Sequence, residues 1–229
     1  MALPSTTPAN LPAHLQTSVS RGNENVSADD ISIPRVKLLQ KMSPEIDEAD
    51  SRYIDGAKAG HLVNSVTTEL MDEVYVMNLF YEKGFTVFKK RDLGGGLFGS
   101  FASELEAREA LNADGLDASE YDITETATHT LLMLDEDGNV TMPALMDFAS
   151  SKLKVSRAWN TDIAMKCGQQ VDRFGAIYRI TSKVEKNRKG QSYHNLDFEF
   201  TAWANEAQHG EAIQNYDRMR ASKGLPAAA

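Results

Sequence analysis

Between Ser151 and Ser192 the chain places ten cations, Lys152, Lys154, Arg157, Lys166, Arg173, Arg179, Lys183, Lys186, Arg188 and Lys189, against only Asp162, Asp172 and Glu185. Trp159, Phe174, Tyr178, Tyr193, Phe198, Phe200 and Trp203 are threaded through this stretch and its continuation. Such interleaving suits a ligand that is a flexible polyanion with exposed planar bases. Lysine and arginine neutralise phosphates, and ring faces stack on unpaired bases whose identity hardly matters. Each ring also has an ordinary structural role open to it. Along the last apolar run, His194, Leu196, Phe198 and Phe200 share one face, which reads as core. Tyr178 and Tyr193 neighbour charged residues and could stack on a base or pack internally. Trp159, beside Arg157 and Asn160, could anchor its helix or meet a base. Arg188 and Lys189 fall at a hairpin tip, where mobile cations suit backbone contact and solvated turn charges are also common.

Other chemistries have little support. His14, His61, His129, His194 and His209 show no close metal-ligand spacing. The acidic turn Asp135-Glu136-Asp137 resembles the start of a calcium loop, but no glutamate occupies the twelfth position. Gly94-Gly95-Gly96 is not followed by the Lys-Ser/Thr pair of a phosphate-cradling loop. Cys167 follows Lys166, yet no histidine pairs with it, and a single cysteine can form no internal disulfide. The residues therefore suggest a binding protein with no catalytic group, metal or cofactor.

The whole chain, 229 residues with 24 Lys+Arg and 33 Asp+Glu, carries a formal net charge of -9. Taken alone, that total opposes a nucleic-acid partner. Its distribution is uneven, however. Glu104 to Asp137 holds eleven acidic residues and only Arg108 as a base, whereas 151–192 is net positive by seven. A further basic run, Lys89-Lys90-Arg91, precedes the glycine triplet. A segregated chain can hold a positive groove despite a negative total. No basic start with an apolar run, and no stretch of about 20 apolar residues, points to a leader or membrane span. A soluble protein without a membrane partner is expected, in a reducing, intracellular compartment.

These residues need elements to position them. Residues 1–29, rich in Ser, Thr, Pro, Ala and Asn, lack apolar periodicity and read as a disordered tail. Residues 30–221 read as one domain and 222–229 as a frayed end. Within the domain, Met71–Arg91 is expected to form two strands around Glu82-Lys83-Gly84, and a short acidic helix should begin near Ser103. A hairpin is expected around residues 135–139, and a basic helix should start at Ser150 or Ser151 and stop at Gly168. Two strands at about 174–184 and 192–203, then a closing helix, complete the order. The fold class is mainly β with helices (α+β): a small, partly open five-stranded barrel with an inserted basic helix and a C-terminal helix.

Three segments, SIPRVKLLQKMSPE, SSKLKVSRAWNT and YRITSKVEKNRKGQSYHNLDFEFTAW, together resemble the single-stranded DNA-binding proteins of tailed bacteriophages. The resemblance covers about residues 31–220. It implies an OB-fold core that coats exposed DNA during phage replication and recombination in the cytoplasm of the infected host. The partners implied are single-stranded DNA and phage replication or recombination proteins, with self-association left open. Lys152, Lys154, Arg157, Trp159, Lys186, Arg188, Lys189 and Tyr193 are the positions it implies for strand contact; Tyr178 joins them on its own surroundings. Many such binders end in an acidic tail, whereas this chain ends in RMRASKGLPAAA and keeps its acidic residues internal. A phage structural or assembly protein and a single-strand annealing protein are the alternatives.

Overall fold

A computed structural model describes residues 22, 25 and 32–222. The tail assigned to 1–29 and the end assigned to 222–229 lie almost wholly outside the described residues.

The longest element is β4 (Glu73–Lys89). The expected break at Glu82-Lys83-Gly84 is absent, and one strand runs through it. Gly84 is in the strand because a Cβ there would stand 2.9 Å from the Phe101 carbonyl oxygen of the neighbouring β5 (Leu97–Phe101). Its missing side chain permits pairing on that side, so this glycine serves close approach instead of a turn. β4 pairs antiparallel with β6 (Tyr121–Leu134) along its length, with β8 (Ala176–Lys186) through residues 73–77, and with β5 near its end. A register shift between Asn78 and Phe80 turns the later side chains over, so that even residues of β4 and β6 then share a face.

β7 (Val140–Ala149) and β9 (Ser192–Trp203) complete the main sheet, in the order β7-β6-β4-β8-β9. A three-stranded sheet is formed by β1 (Val36–Leu38), β2 (Leu62–Asn64) and β3 (Leu70–Met71). The main sheet does not close into a true barrel. Residues 34–40 bridge its two edges instead. Leu145 N–H donates to Pro34 C=O on the β7 side, and the Gln40 side-chain amide exchanges two hydrogen bonds with the His194 backbone on the β9 side.

Three helices are attached to this frame. α1 (Glu104–Ala113) starts where Ser103 accepts from the Glu106 N–H and Glu106 accepts in turn from the Ala102 N–H. α2 (Leu153–Cys167), inserted between β7 and β8, stops at Gly168, where φ is +58. Its buried positions Val155, Trp159 and Ile163 recur every four residues, forming one stripe that packs on the sheet. α3 (Glu206–Ser222) covers part of the opposite face, where Tyr216 stacks on Phe80 at 4.6 Å.

Beneath α2 lies a polar chain that no spacing in the sequence reveals. Arg173 donates to Asn78 Oδ1 at 2.9 Å, Asn78 Nδ2 meets His129 Nδ1 at 2.8 Å, and His129 Nε2 meets Ser156 Oγ at 2.7 Å. Because the Asn78 oxygen is taken by Arg173, its NH2 group donates to His129, which must carry its proton on Nε2 and donate it to Ser156. Burial, aided by the Arg173 charge, pushes the His129 pKa down to about 3.

Gly60 has φ +102, and a Cβ there would lie 2.6 Å from the His194 ring. Gly60→Ala should therefore destabilise the domain by roughly 1–3 kcal/mol, read as a lower denaturation midpoint. For His129, the unfolded chain binds a proton below about pH 6.5 while the folded chain does not until about pH 3. Its contribution to stability is full above pH 6.5 and declines as pH falls toward 3. Denaturant titrations across that interval should show this decline, and His129→Gln should flatten it.

Candidate nucleic-acid interface

The positive charge of 151–192 is largely paired in space. Lys154 meets Glu185 at 2.7 Å, Arg157 meets Glu125 at 3.2 Å, and Lys166 meets Asp162 at 3.6 Å. On the sheet, Arg179 meets Glu73 at 3.3 Å and Lys183 meets Asp197 at 2.8 Å. Arg173 is turned inward to Asn78 and Asn160. Lys152 is half-buried, and desolvation lowers its pKa against the opposing pull of Asp147. Lys186, Arg188 and Lys189 form no ion pair among the described residues, and all three are exposed at the tip joining β8 to β9.

The hairpin that carries them is tightly specified. Asn187 N–H donates to Gln191 C=O at 3.0 Å, and the Asn187 side chain accepts from the N–H groups of Lys189 and Gln191. Gly190 takes φ +77 to complete the turn. From that turn the register places Glu185 opposite Tyr193. One oxygen of Glu185 then accepts from Lys154 Nζ at 2.7 Å, the Tyr193 hydroxyl at 2.8 Å and Asn195 Nδ2 at 3.0 Å. These donors hold the carboxylate and pull its pKa down to about 2, the Lys154 bond contributing most. The base of the hairpin is thus tied to the first turn of α2.

The nine residues named from the sequence divide accordingly. Lys186, Arg188 and Lys189 form the exposed tip, while Lys154 and Tyr193 meet at Glu185 below it. Arg157 is exposed on α2 but turned to Glu125, which also holds Lys83 at 3.2 Å.

Trp159 and Tyr178 are placed differently from their expected role in stacking on bases: both are fully buried. Trp159 stacks on His129 at 4.8 Å and meets the edge of Tyr178 at 5.6 Å, while the Tyr178 hydroxyl donates to Asp162 at 2.7 Å. The reason is geometric. Trp159 falls on the same helical stripe as Val155 and Ile163, which is the stripe that faces the sheet. The odd-numbered Tyr193 escapes this fate because it sits near the hairpin tip, beyond the reach of the main core.

Lys89-Lys90-Arg91 does not join the tip. β8 pairs with the first residues of β4, and its hairpin extends beyond that end, whereas Lys89 closes the other end. Seventeen strand residues span a contour of about 55 Å, so the two basic groups occupy opposite ends of β4. Lys89 itself faces Glu120 at 3.9 Å.

Glu185 and Glu125 were absent from the sequence-based site. The hairpin turn would locate Glu185 against Tyr193, but no local pattern brings Lys154, 31 positions away, to the same oxygen. The Ser156–His129–Asn78 cluster has the outline of a nucleophile, base and orienting group. Its proton lies on the nitrogen facing Ser156, so His129 is a donor to that hydroxyl and cannot deprotonate it. All three side chains are buried between α2 and the sheet. Among the described residues no group of three or more His, Cys, Asp and Glu side chains is arranged to hold a metal, and no helix is long and apolar enough to cross a membrane.

No curated protein and no solved structure gives a significant match to the chain. Residues 5–224 match the family described as Pam3 phage gp34-like protein, nearly the full length, including every strand and helix that builds the hairpin and its support. The chain therefore belongs to the Pam3 phage gp34-like family of bacteriophage proteins.

Proposed function

We propose that the protein binds single-stranded DNA without sequence preference during phage replication or recombination, and that the β8–β9 hairpin is its principal contact. The observation that carries this reading is the unpaired triplet Lys186, Arg188 and Lys189 on an exposed, hydrogen-bonded turn, in a domain whose other cations in the basic stretch are mostly paired. A phosphate backbone supplies the anions that this tip lacks. Tyr193, half-buried just below the tip, supplies a ring for stacking. Further support comes from strand order. Five strands in the order β7-β6-β4-β8-β9, with a helix between the third and fourth in sequence, follow the arrangement of a small five-stranded barrel whose last hairpin contacts oligonucleotides. Membership of a phage family fits the same role. In this reading the protein shields the strand and hydrolyses nothing, and its negative total charge limits adhesion to other polyanions.

Fluorescence polarisation with labelled oligodeoxynucleotides across a salt series is the test. Binding should favour single over double strands, depend weakly on base identity and weaken steeply with salt. Charge reversal of Lys186, Arg188 and Lys189 together should reduce affinity at least about tenfold and flatten the salt slope by roughly two, since each phosphate contact on a single strand contributes about 0.7. Unchanged binding by the triple variant would remove the hairpin from the interface. Absence of binding by the parent at low salt would reject the function.

A further inference from the structure

We propose that Glu185 and Glu125 act as internal phosphate surrogates, occupying the α2 cations in the free protein and yielding them to the strand on binding. The inference rests on the strand-binding reading above and adds a regulatory step to it. Lys154 and Arg157 project from the first turns of α2 with side chains 61% and 67% exposed, and each is met by a less exposed carboxylate from the sheet. Glu185 reaches Lys154 from the base of the DNA-contacting hairpin, together with the Tyr193 hydroxyl and the Asn195 amide. Glu125, on β6, is shared between Arg157 and Lys83, each at 3.2 Å. In both places a single anion is surrounded by the donors that would receive a phosphodiester oxygen: ammonium or guanidinium groups and, at Glu185, a hydroxyl and an amide.

Energetics permit the exchange. An ion pair whose cation stands in solvent is a weak restraint, so an incoming phosphate, which also releases its condensed counterions, can displace the carboxylate from the cation. The surrogate therefore raises a threshold. A strand long enough to lie on the hairpin and continue along α2 gains Lys154, Arg157 and Lys83, whereas a lone anion at the tip does not. Glu185 lies at the junction, where Tyr193 would turn from the carboxylate toward the strand.

The test uses the full chain and a labelled oligodeoxythymidine in a salt series, comparing the parent with Glu185→Gln, Glu125→Gln and a charge control, Glu109→Gln. Glu109 is exposed on α1 and forms no ion pair among the described residues. Glutamine keeps the shape and an acceptor for Tyr193 or Asn195 but releases the cation. Each surrogate variant should bind roughly two- to fivefold more tightly at low salt, matching the loss of an exposed ion pair. Because the cations reach the strand in parent and variants alike, the salt slope of each surrogate variant should stay within about 0.7 of the parent slope while the affinity rises. The Glu109 variant should retain the parent affinity and slope. Binding by the parent with no more gain in affinity in the surrogate variants than in the control overturns the surrogate role while leaving strand binding intact, and so does a slope steeper by about 0.7 or more per cation, which would show that the carboxylates keep the cations from the strand in the parent complex. Weaker binding by both variants also overturns it, by showing that the carboxylates only position the hairpin and helix. Absence of binding by all four proteins removes both readings together.

Discussion

The continuity of β4 is the constraint on which the other elements depend. One uninterrupted strand gives β6 a partner along its whole length, β8 a partner at one end and β5 a partner at the other. The register shift at Asn78 and Phe80 divides it into two functional halves. Before the shift, even-numbered side chains face α2 and Asn78 enters the buried polar chain. After it, odd-numbered ones do, bringing Tyr81 to His129 and Lys83 to Glu125. A strand without the extra residue would send one of these sets to the wrong face.

On that frame, α2 is held by two unlike forces. Its inner stripe is sealed by Trp159, whose indole lies against His129 and Tyr178. Its outer, cationic side is restrained by carboxylates on β6 and β8. Apolar burial is the stronger term, because fully burying a large side chain stabilises by about 1.5–3 kcal/mol while an exposed ion pair contributes at most about 1. The helix can therefore stay docked while its surface cations change partners. The buried Arg173–Asn78–His129–Ser156 chain adds orientation, since each group has a defined donor or acceptor role and a shift of α2 would leave several of them unsatisfied.

Much of the architecture was legible from local patterns. The turn chemistry around Asp135–Asn139 and Asn187–Gly190 located both hairpins, Ser103 located the start of α1, and Gly168 located the end of α2. Gly84 misled because a glycine beside charged residues resembles a turn, and only the proximity of the Phe101 carbonyl shows why a strand needs one there. The site was less legible. Lys186, Arg188 and Lys189 fall on a turn that adjacent residues define, so their exposure could be anticipated. The inward side of Trp159 could not, because its stripe emerges only once the sheet supplies a surface for α2 to cover.

By itself, the amino-acid order determined the α+β class, the hairpin tip and the presence of a cation-rich segment beside an acidic one, because periodicity, turn residues and composition are properties of neighbours in sequence. Tertiary structure decided which of those charges remain available. It brought Glu125 from the acidic segment to Arg157, turned Glu185 to Lys154, turned Arg173 inward to Asn78 and separated Lys89-Lys90-Arg91 from the hairpin by the length of β4. Charge segregation along a chain is one-dimensional, whereas neutralisation depends on distances of a few ångströms between residues more than thirty positions apart. Only the folded sheet sets those distances.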